Sequence, residues 1–486
     1  MTEQRALIID NQPTPAASGR STPDTNPYTG EVFTTVAAAA ESDVTAAVDA
    51  AERAGRDWAD TSPSRRRDIL WRAADTLASR AEQAIELMAT ETGATAGWAG
   101  FNAELGAAML REAAASATRP IGEVLATDAP GVMSLSVREP AGVVAAFAPW
   151  NAPLILGCRA IAAPLAAGNT VVLKASEKAP VASGLFIAEA LIDAGLPPGV
   201  LNVISNDPAD AADVAATLVG DRRVRRVNFT GSTMAGRRIA ALAAESLTPA
   251  VLELGGKNAL LVLDDADLDY AARAVTFSAY FNSGQICMSA DRVVAHRSIA
   301  AELTERIAAR AANLSCGDPG DPANALGPLI DTDAAARVAS LVDGAVRQGA
   351  ALAAGGGTPD GACYPATVVT GVTEDMPLHN EEIFGPVCTV LPVDSDAEAV
   401  ALANASPYGL TAGVLTENLS RGWEVARGLR TGIVHVNDQS IDDEPQAPFG
   451  GVKDSGHGRF GGRHGIEAFS ETRWITLRGR HKQFPI

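Results

Sequence analysis

The chain reads as an α/β protein built from two parallel-sheet, Rossmann-like units, with two further segments that belong to neither. Three observations predict this. From Ala141 onward short aliphatic and β-branched runs alternate with helical segments, the alternation recurs after Asn258, and residues 119–138 and 473–480 fit neither series. Strands connected through helices pair in parallel, and the helices cover the faces of the sheet. With 486 residues the chain is also too long for one simple core, so more than one domain is expected.

Along the chain, the first twenty residues are polar and Pro-containing and are expected to form a loose arm. In Ser42–Trp58, Val44, Val48 and Ala51 recur at helical spacing. Ser62-Pro63 reads as an N-cap and first helical residue, opening a helix that runs to near Gly93. A third helical stretch covers about Trp98–Ala117. The first strand series is Val143–Phe147, Thr170–Leu173, Val200–Ile204 and Arg226–Phe229, with a helix over Val181–Ala194 closed by Gly195. The second series begins at Asn258–Leu263 and extends to Gly432–Asn437.

Composition narrows the function. With 39 basic and 58 acidic residues the formal charge is −19, which argues against a nucleic-acid partner. The start has no apolar segment of signal-peptide length, and no run approaches the roughly 18 apolar residues of a membrane span. Val143–Phe147 and Ile155-Leu156 are interrupted by Pro149, Asn151, Pro153 and Arg159. The five cysteines (158, 287, 316, 363 and 388) are dispersed and lack a CxxC pair. That usage fits a reducing cytoplasm without disulfides, and with no HExxH-type spacing no metal is expected.

Two segments carry chemistry. Phe281-Asn-Ser-Gly-Gln-Ile-Cys287-Met-Ser-Ala290 sets one thiol among small and amide-bearing neighbours that leave its sulfur reachable, whereas the other four cysteines read as structural. Upstream, Leu252-Glu253-Leu254-Gly255-Gly256-Lys257 puts a carboxylate on an apolar strand that breaks into two glycines, 287 − 253 = 34 residues before the thiol. Flanking leucines would desolvate Glu253 and raise its pKa, making a base suited to neutral pH. A nucleophilic sulfur and a water-activating carboxylate suffice to make and hydrolyse a thioester. Asn151, in Pro149-Trp150-Asn151-Ala152-Pro153, offers a neutral amide donor for an oxyanion. Phe229-Thr-Gly231-Ser232-Thr-Met-Ala-Gly236 ends a strand and opens a helix whose N–H groups suit a pyrophosphate, although it is not GxGxxG. GxSxG is absent, so a serine hydrolase has no support.

These motifs, in this order, resemble the NAD(P)-dependent aldehyde dehydrogenase family, and the similarity runs from about Asn26 to Ile475. The resemblance implies an aldehyde-dehydrogenase-like fold. Residues 1–119 and 141–253 would form the dinucleotide-binding domain, 254–454 the catalytic domain, and 120–140 with 468–486 an oligomerisation arm of a homodimer or homotetramer. It implies Cys287 as nucleophile, Glu253 as the base for hydrolysis, and an oxyanion hole from Asn151 and the Cys287 N–H. The cofactor-binding set it implies is Pro149, Trp150, Lys174, Ser176, Glu177, Gly231, Ser232, Glu382 and Phe384. Lys174 and Glu177 would face the adenosine ribose, and a carboxylate there repels a 2′-phosphate, which favours NAD with NADP secondary. Glu471 sits where many family members carry a second glutamate; a proton-relay role and a plain surface carboxylate are equal readings.

Several stretches, among them Gly93–Asn102, Pro153–Ile161 and Pro448–Gly462, are similar to the salicylaldehyde, benzaldehyde and vanillin dehydrogenase branch. A helix after Asn151 would bring Ile155 and Arg159 to one side, so that Trp98, Ile155, Ile286, Met288 and Phe449 form an apolar slot for a ring. Arg159 would meet a phenolic or carboxylate oxygen there, or else hold a rim salt bridge. His457 stands where a Tyr is more usual. The expected reaction is oxidation of an aromatic aldehyde to its acid. The alternatives are an aliphatic aldehyde or a semialdehyde such as succinic semialdehyde, acyl transfer to coenzyme A (weakened by the presence of Glu253), and a non-catalytic relative.

Overall fold

Parallel pairing dominates the computed structural model, which describes residues 4–479, 481 and 484. The first large sheet has eight strands in the order Gly456–His457, Ala250–Glu253, Val224–Thr230, Val143–Phe147, Thr170–Lys174, Leu201–Ile204, Leu7–Ile9 and Gln12–Thr14. Its five central strands pair in parallel, and the partners at both margins are antiparallel. The second sheet has seven strands: Ala351–Ala354, Thr367–Thr370, Val387–Val393, Ala290–His296, Asn258–Val262, Thr411–Leu415 and Ile433–Val436. All its pairings are parallel except that of the Ala351–Ala354 edge. The interior strands are buried along their length, as the continuous apolar runs require.

Two expectations are overturned. The first twenty residues are not a loose arm: Leu7, Ile8 and Ile9 are buried, and the strand they form closes the margin of the first sheet against Leu201–Ile204. Three consecutive apolar residues were outweighed by the polar residues around them, while residues 1–3 lie outside the described residues. The helix opened by Ser62, whose hydroxyl accepts from the Arg65 N–H, ends at Ser79, and a second helix runs Ala81–Thr92. Arg80 separates the two helices at φ −102° and ψ 16°, outside the helical region, in a sequence without a breaker; its side chain forms an ion pair with Asp193. Gly93 stops the second helix at φ +70°, a left-handed cap that glycine adopts without penalty.

Residues 119–140 and the tail form a separate three-stranded sheet: Ser470–Arg478, Val132–Pro140 and Gly122–Leu125. Residues 480, 482, 483, 485 and 486 of the expected arm lie outside the described residues. A continuous apolar core draws on Val144 and Val171 of the first sheet, Leu110 and Leu154 of the neighbouring helices, and Ile286, Met288 and Ile441 of the later half. Cys287 packs at the margin of this shared core. Among the described residues, no helix is long and apolar enough to cross a membrane.

Candidate active site

Glu253 is the last residue of its strand, in register with Thr230 on one side and Gly456 on the other. The chain must then turn sharply, and the two glycines that follow are sterically required. A Cβ at Gly255 would collide with the Glu382 carboxylate, and one at Gly256 would lie 2.7 Å from the Cys287 carbonyl oxygen. The Gly256 N–H donates to Glu382 at 2.9 Å, tying the end of the first sheet to the segment before Val387–Val393.

The nucleophile loop joins the Leu268–Tyr280 helix to the Ala290–His296 strand. Asn282, Ser283 and Gly284 all have positive φ (49°, 54° and 71°), an expensive conformation for two non-glycine residues. Hydrogen bonds hold it. The Ser283 hydroxyl donates to Gly327 O at 2.7 Å, the Ile330 N–H donates to Gln285 Oε1 at 2.9 Å, and Asn258 Nδ2 donates to Cys287 O at 2.7 Å. Asn151 joins from the other side. Its Nδ2 donates to Gln285 O at 3.0 Å, while its own carbonyl accepts from Trp98 Nε1 at 2.8 Å and from Asn282 Nδ2 at 3.2 Å.

Cys287, Glu253 and Asn151 therefore line one cleft, together with Pro149, Trp150, Gly231, Ser232, Glu382 and Phe384. Leu156, Thr230, Leu254 and Gly255 also line it. The Trp150 and Phe384 rings meet edge-on at 5.5 Å, with Phe384 held at φ +52°. Ser232 caps the Thr233–Glu245 helix, so the first turn of a thirteen-residue helix opens beside the cleft. That is the arrangement by which backbone N–H groups hold a phosphate. The residues present fit a dinucleotide: a helix N-terminus, a half-buried carboxyl at Glu382 for ribose hydroxyls, and two aromatic rings lining the same cleft as the thiol.

Lys174, Ser176 and Glu177 lie outside this cleft. Lys174 ends its strand and forms an ion pair with Glu177, which also accepts from Asn206 Nδ2 at 3.3 Å. Burial raises the Glu177 carboxyl, but Lys174 and Asn206 pull it to a net position below its ordinary range. Trp98, Ile155, Ile286, Met288 and Phe449 are buried in the shared core against which Cys287 packs, not in the wall of the open cleft. Arg159 is buried, pairs with Asp443 and lies over the Phe449 ring at 4.1 Å. Of its two readings, then, it is the ion pair that the geometry contains. Glu471 is on the exposed tail strand, paired with Arg226 at 2.8 Å and away from the thiol.

Electrostatics mark the cleft as unusual. Burial pushes the Glu253 carboxyl up to about 8, opposed by the charge of Arg159 and by a hydrogen bond from the Cys287 thiol. Burial raises the Cys287 thiol well above its ordinary value, and Glu253 and Glu382 add to the shift. Glu382 is pushed up to about 7, again chiefly by burial. At rest the thiol is neutral, and removing its proton requires an acceptor in contact, which Glu253 is. Sequence reasoning missed Asn258 and Asp443. An amide directly after the Gly255-Gly256-Lys257 break was a usable signal for Asn258, whereas Asp443 sits in an acidic stretch that carries none.

Comparison with known proteins agrees with this geometry. The profile of the Aldehyde dehydrogenase family matches residues 14–475. The chain is 49% identical over 480 residues to a vanillin dehydrogenase of Pseudomonas sp. (strain HR199 / DSM 7063), covering 99% of each protein. It is 40% identical over 461 residues to a benzaldehyde dehydrogenase [NAD(+)] of Pseudomonas putida, covering 95% of this chain and 94% of that one. A crystal structure of a salicylaldehyde dehydrogenase from Pseudomonas putida G7 complexed with salicylaldehyde superposes with a TM-score of 0.96 at 40% identity, covering 99% of this chain and 100% of that one. A family profile over residues 14–475 and relatives matched along nearly the whole length make this chain a member of the aldehyde dehydrogenase family.

Proposed function

We propose that this protein oxidises aromatic aldehydes to carboxylic acids with NAD as the preferred acceptor. The observation that carries the reading is the meeting of Cys287, Glu253 and Asn151 in a single cleft beside a helix N-terminus. Cys287 adds to the aldehyde carbon, and its proton passes to Glu253. The Asn151 amide turns from Gln285 O toward the developing alkoxide and stabilises it, a donor of the kind worth about 10²–10³ in rate. The bound dinucleotide supplies the acceptor for the hydride. Glu253 releases that proton to solvent and then deprotonates a water that attacks the thioester carbon; the C–S bond breaks, the acid leaves, and Cys287 regains its proton from Glu253.

The aromatic assignment rests on the names of relatives at 40–49% identity and on the buried apolar residues packed at Cys287. NAD over NADP is supported by Glu177, whose carboxylate, held by Lys174, would repel a 2′-phosphate. A homodimer or homotetramer is supported by the arm sheet, where Val124 is 76% and Trp474 73% exposed together with Ile121, Met133 and Leu477. Five free cysteines suit a cytoplasmic setting. The deciding assay follows NADH formation with benzaldehyde, salicylaldehyde, vanillin, succinic semialdehyde and hexanal, each with NAD and NADP. Aromatic substrates with NAD should give the highest kcat/KM; a clear win for hexanal or the semialdehyde would overturn the aromatic reading.

A further inference from the structure

Behind the nucleophile loop two half-buried thiols meet. Cys316 follows the Arg297–Ala311 helix, and Cys363 closes the turn that begins at Asp360. Their side chains are in contact. The Cys316 thiol also donates to Gly327 O at 3.2 Å, and the Leu329 N–H donates to Ala362 O at 2.8 Å. Residues 327–330 are thus held between the two cysteine segments. The same residues brace the nucleophile loop from behind: Gly327 O accepts from Ser283, Pro328 O accepts from Gln285 Nε2 at 3.4 Å, and the Ile330 N–H donates to Gln285 Oε1. Ser283 and Gln285 lie four and two residues before Cys287. The strap therefore sets the position of the nucleophile, and the thiol pair sets the position of the strap.

The pair differs from the remaining cysteines outside the cleft. Cys158 and Cys388 are buried, and burial pushes the Cys388 thiol up to about 12. Contact with Cys316 brings the Cys363 thiol below its ordinary value. A reactive, accessible thiol with a second thiol in contact is the arrangement that forms a reversible cross-link.

We propose that Cys316 and Cys363 are an oxidisable dithiol site, which a peroxide-class oxidant converts into an intrachain disulfide that slows the enzyme. The Cys363 sulfur attacks one peroxide oxygen, the O–O bond breaks, and the departing hydroxide leaves as water with the Cys363 proton. The Cys316 sulfur then attacks the resulting sulfenic sulfur. The S–O bond breaks, the S–S bond forms, and the Cys316 proton leaves with the hydroxide as a second water. Two thiols and one peroxide become one disulfide and two waters, with two electrons passing from sulfur to oxygen. The new bond removes the Cys316 donor from Gly327 O and reshapes the strap; a displacement of ~1 Å at a reacting group costs up to about 10²-fold in rate. A dithiol reductant reverses the change.

The test has two arms. Cys287→Ala protein, which cannot oxidise at the nucleophile, is treated with hydrogen peroxide, alkylated, digested without reduction and mapped by mass spectrometry. A peptide joining residues 316 and 363, lighter than its two parts by two hydrogens and lost on reduction, is expected; both cysteines recovered singly alkylated would overturn the site. In the second arm, wild-type enzyme and the Cys363→Ser and Cys316→Ala variants are treated with diamide, an oxidant of dithiols. Wild-type kcat should fall about tenfold or more and return with dithiothreitol, while either variant that folds keeps its rate. Equal loss in wild type and variants would overturn the coupling to the nucleophile. Neither arm depends on which aldehyde the enzyme prefers.

Discussion

The base assigned to Glu253 sets the pH dependence of turnover. With its carboxyl titrating at about 8, the fraction in base form is about 1% at pH 6, half at pH 8 and about 90% at pH 9. Steady-state kcat, measured as NADH absorbance at saturating vanillin and NAD, should therefore climb by nearly two orders of magnitude between pH 6 and pH 9. The sign follows from the cause: burial disfavours the carboxylate, so activity lies on the alkaline side. Glu253→Gln removes the base and should lower kcat by about 10²–10⁴. It should also erase the alkaline rise and, because the same carboxylate takes the Cys287 proton, allow only a slowed single burst of at most about one NADH per active site. A half-height near the ordinary carboxylate range, or an unchanged rise in Glu253→Gln, would refute the reasoning.

Other expectations follow from neighbouring residues. Asn151→Ala should reduce kcat by about 10²–10³ without altering the unfolding midpoint by more than a few degrees, checked by initial rates and thermal melts. Arg159→Met strands the Asp443 carboxylate in the core and should cost about 3–5 kcal/mol in denaturant unfolding; adding Asp443→Leu should recover much of that loss. The same Arg159 variant should shift the alkaline rise of kcat to higher pH, because the charge that holds the Glu253 carboxyl down is gone. Asp24, raised by burial to about 6 beside Glu91, binds a proton in the fold that the unfolded chain releases. Its contribution is full below about pH 4 and is lost as pH rises through about 6. Asp24→Asn should therefore gain more melting temperature over wild type at pH 8 than at pH 5, and an equal gain at both would refute this.

Strand–helix alternation in the sequence was enough to predict parallel sheets, because buried strands must be continuously apolar and the connections between them long. The residues of the cleft were legible because glycine pairs and small neighbours leave marks in sequence: Gly255-Gly256 permits the approach of Glu382, and Asn282-Ser283-Gly284 permits the left-handed turn. Pairings across the chain left no such mark. Arg159 and Asp443 are 284 positions apart, and nothing local to either announces the other. Leu7–Ile9 likewise looked too short to matter until a sheet margin was there to receive it. The break at Arg80 has no glycine or proline to mark it in the sequence.

Gly456–His457, paired antiparallel with the strand that ends in Glu253, has a consequence for biosynthesis. Leu254 N–H donates to Ser455 O and the Ser455 hydroxyl donates to Gly255 O, so the edge beside the base is closed by a segment some 200 residues later. A ribosome that has released residues 1–300 has made Glu253, Asn151 and Cys287 but not the partner that seals their strand. Until Gly456 and His457 emerge, that strand is an open edge able to pair with a neighbouring chain. So late a partner leaves that edge unpaired throughout the synthesis of the roughly 200 residues between the two strands.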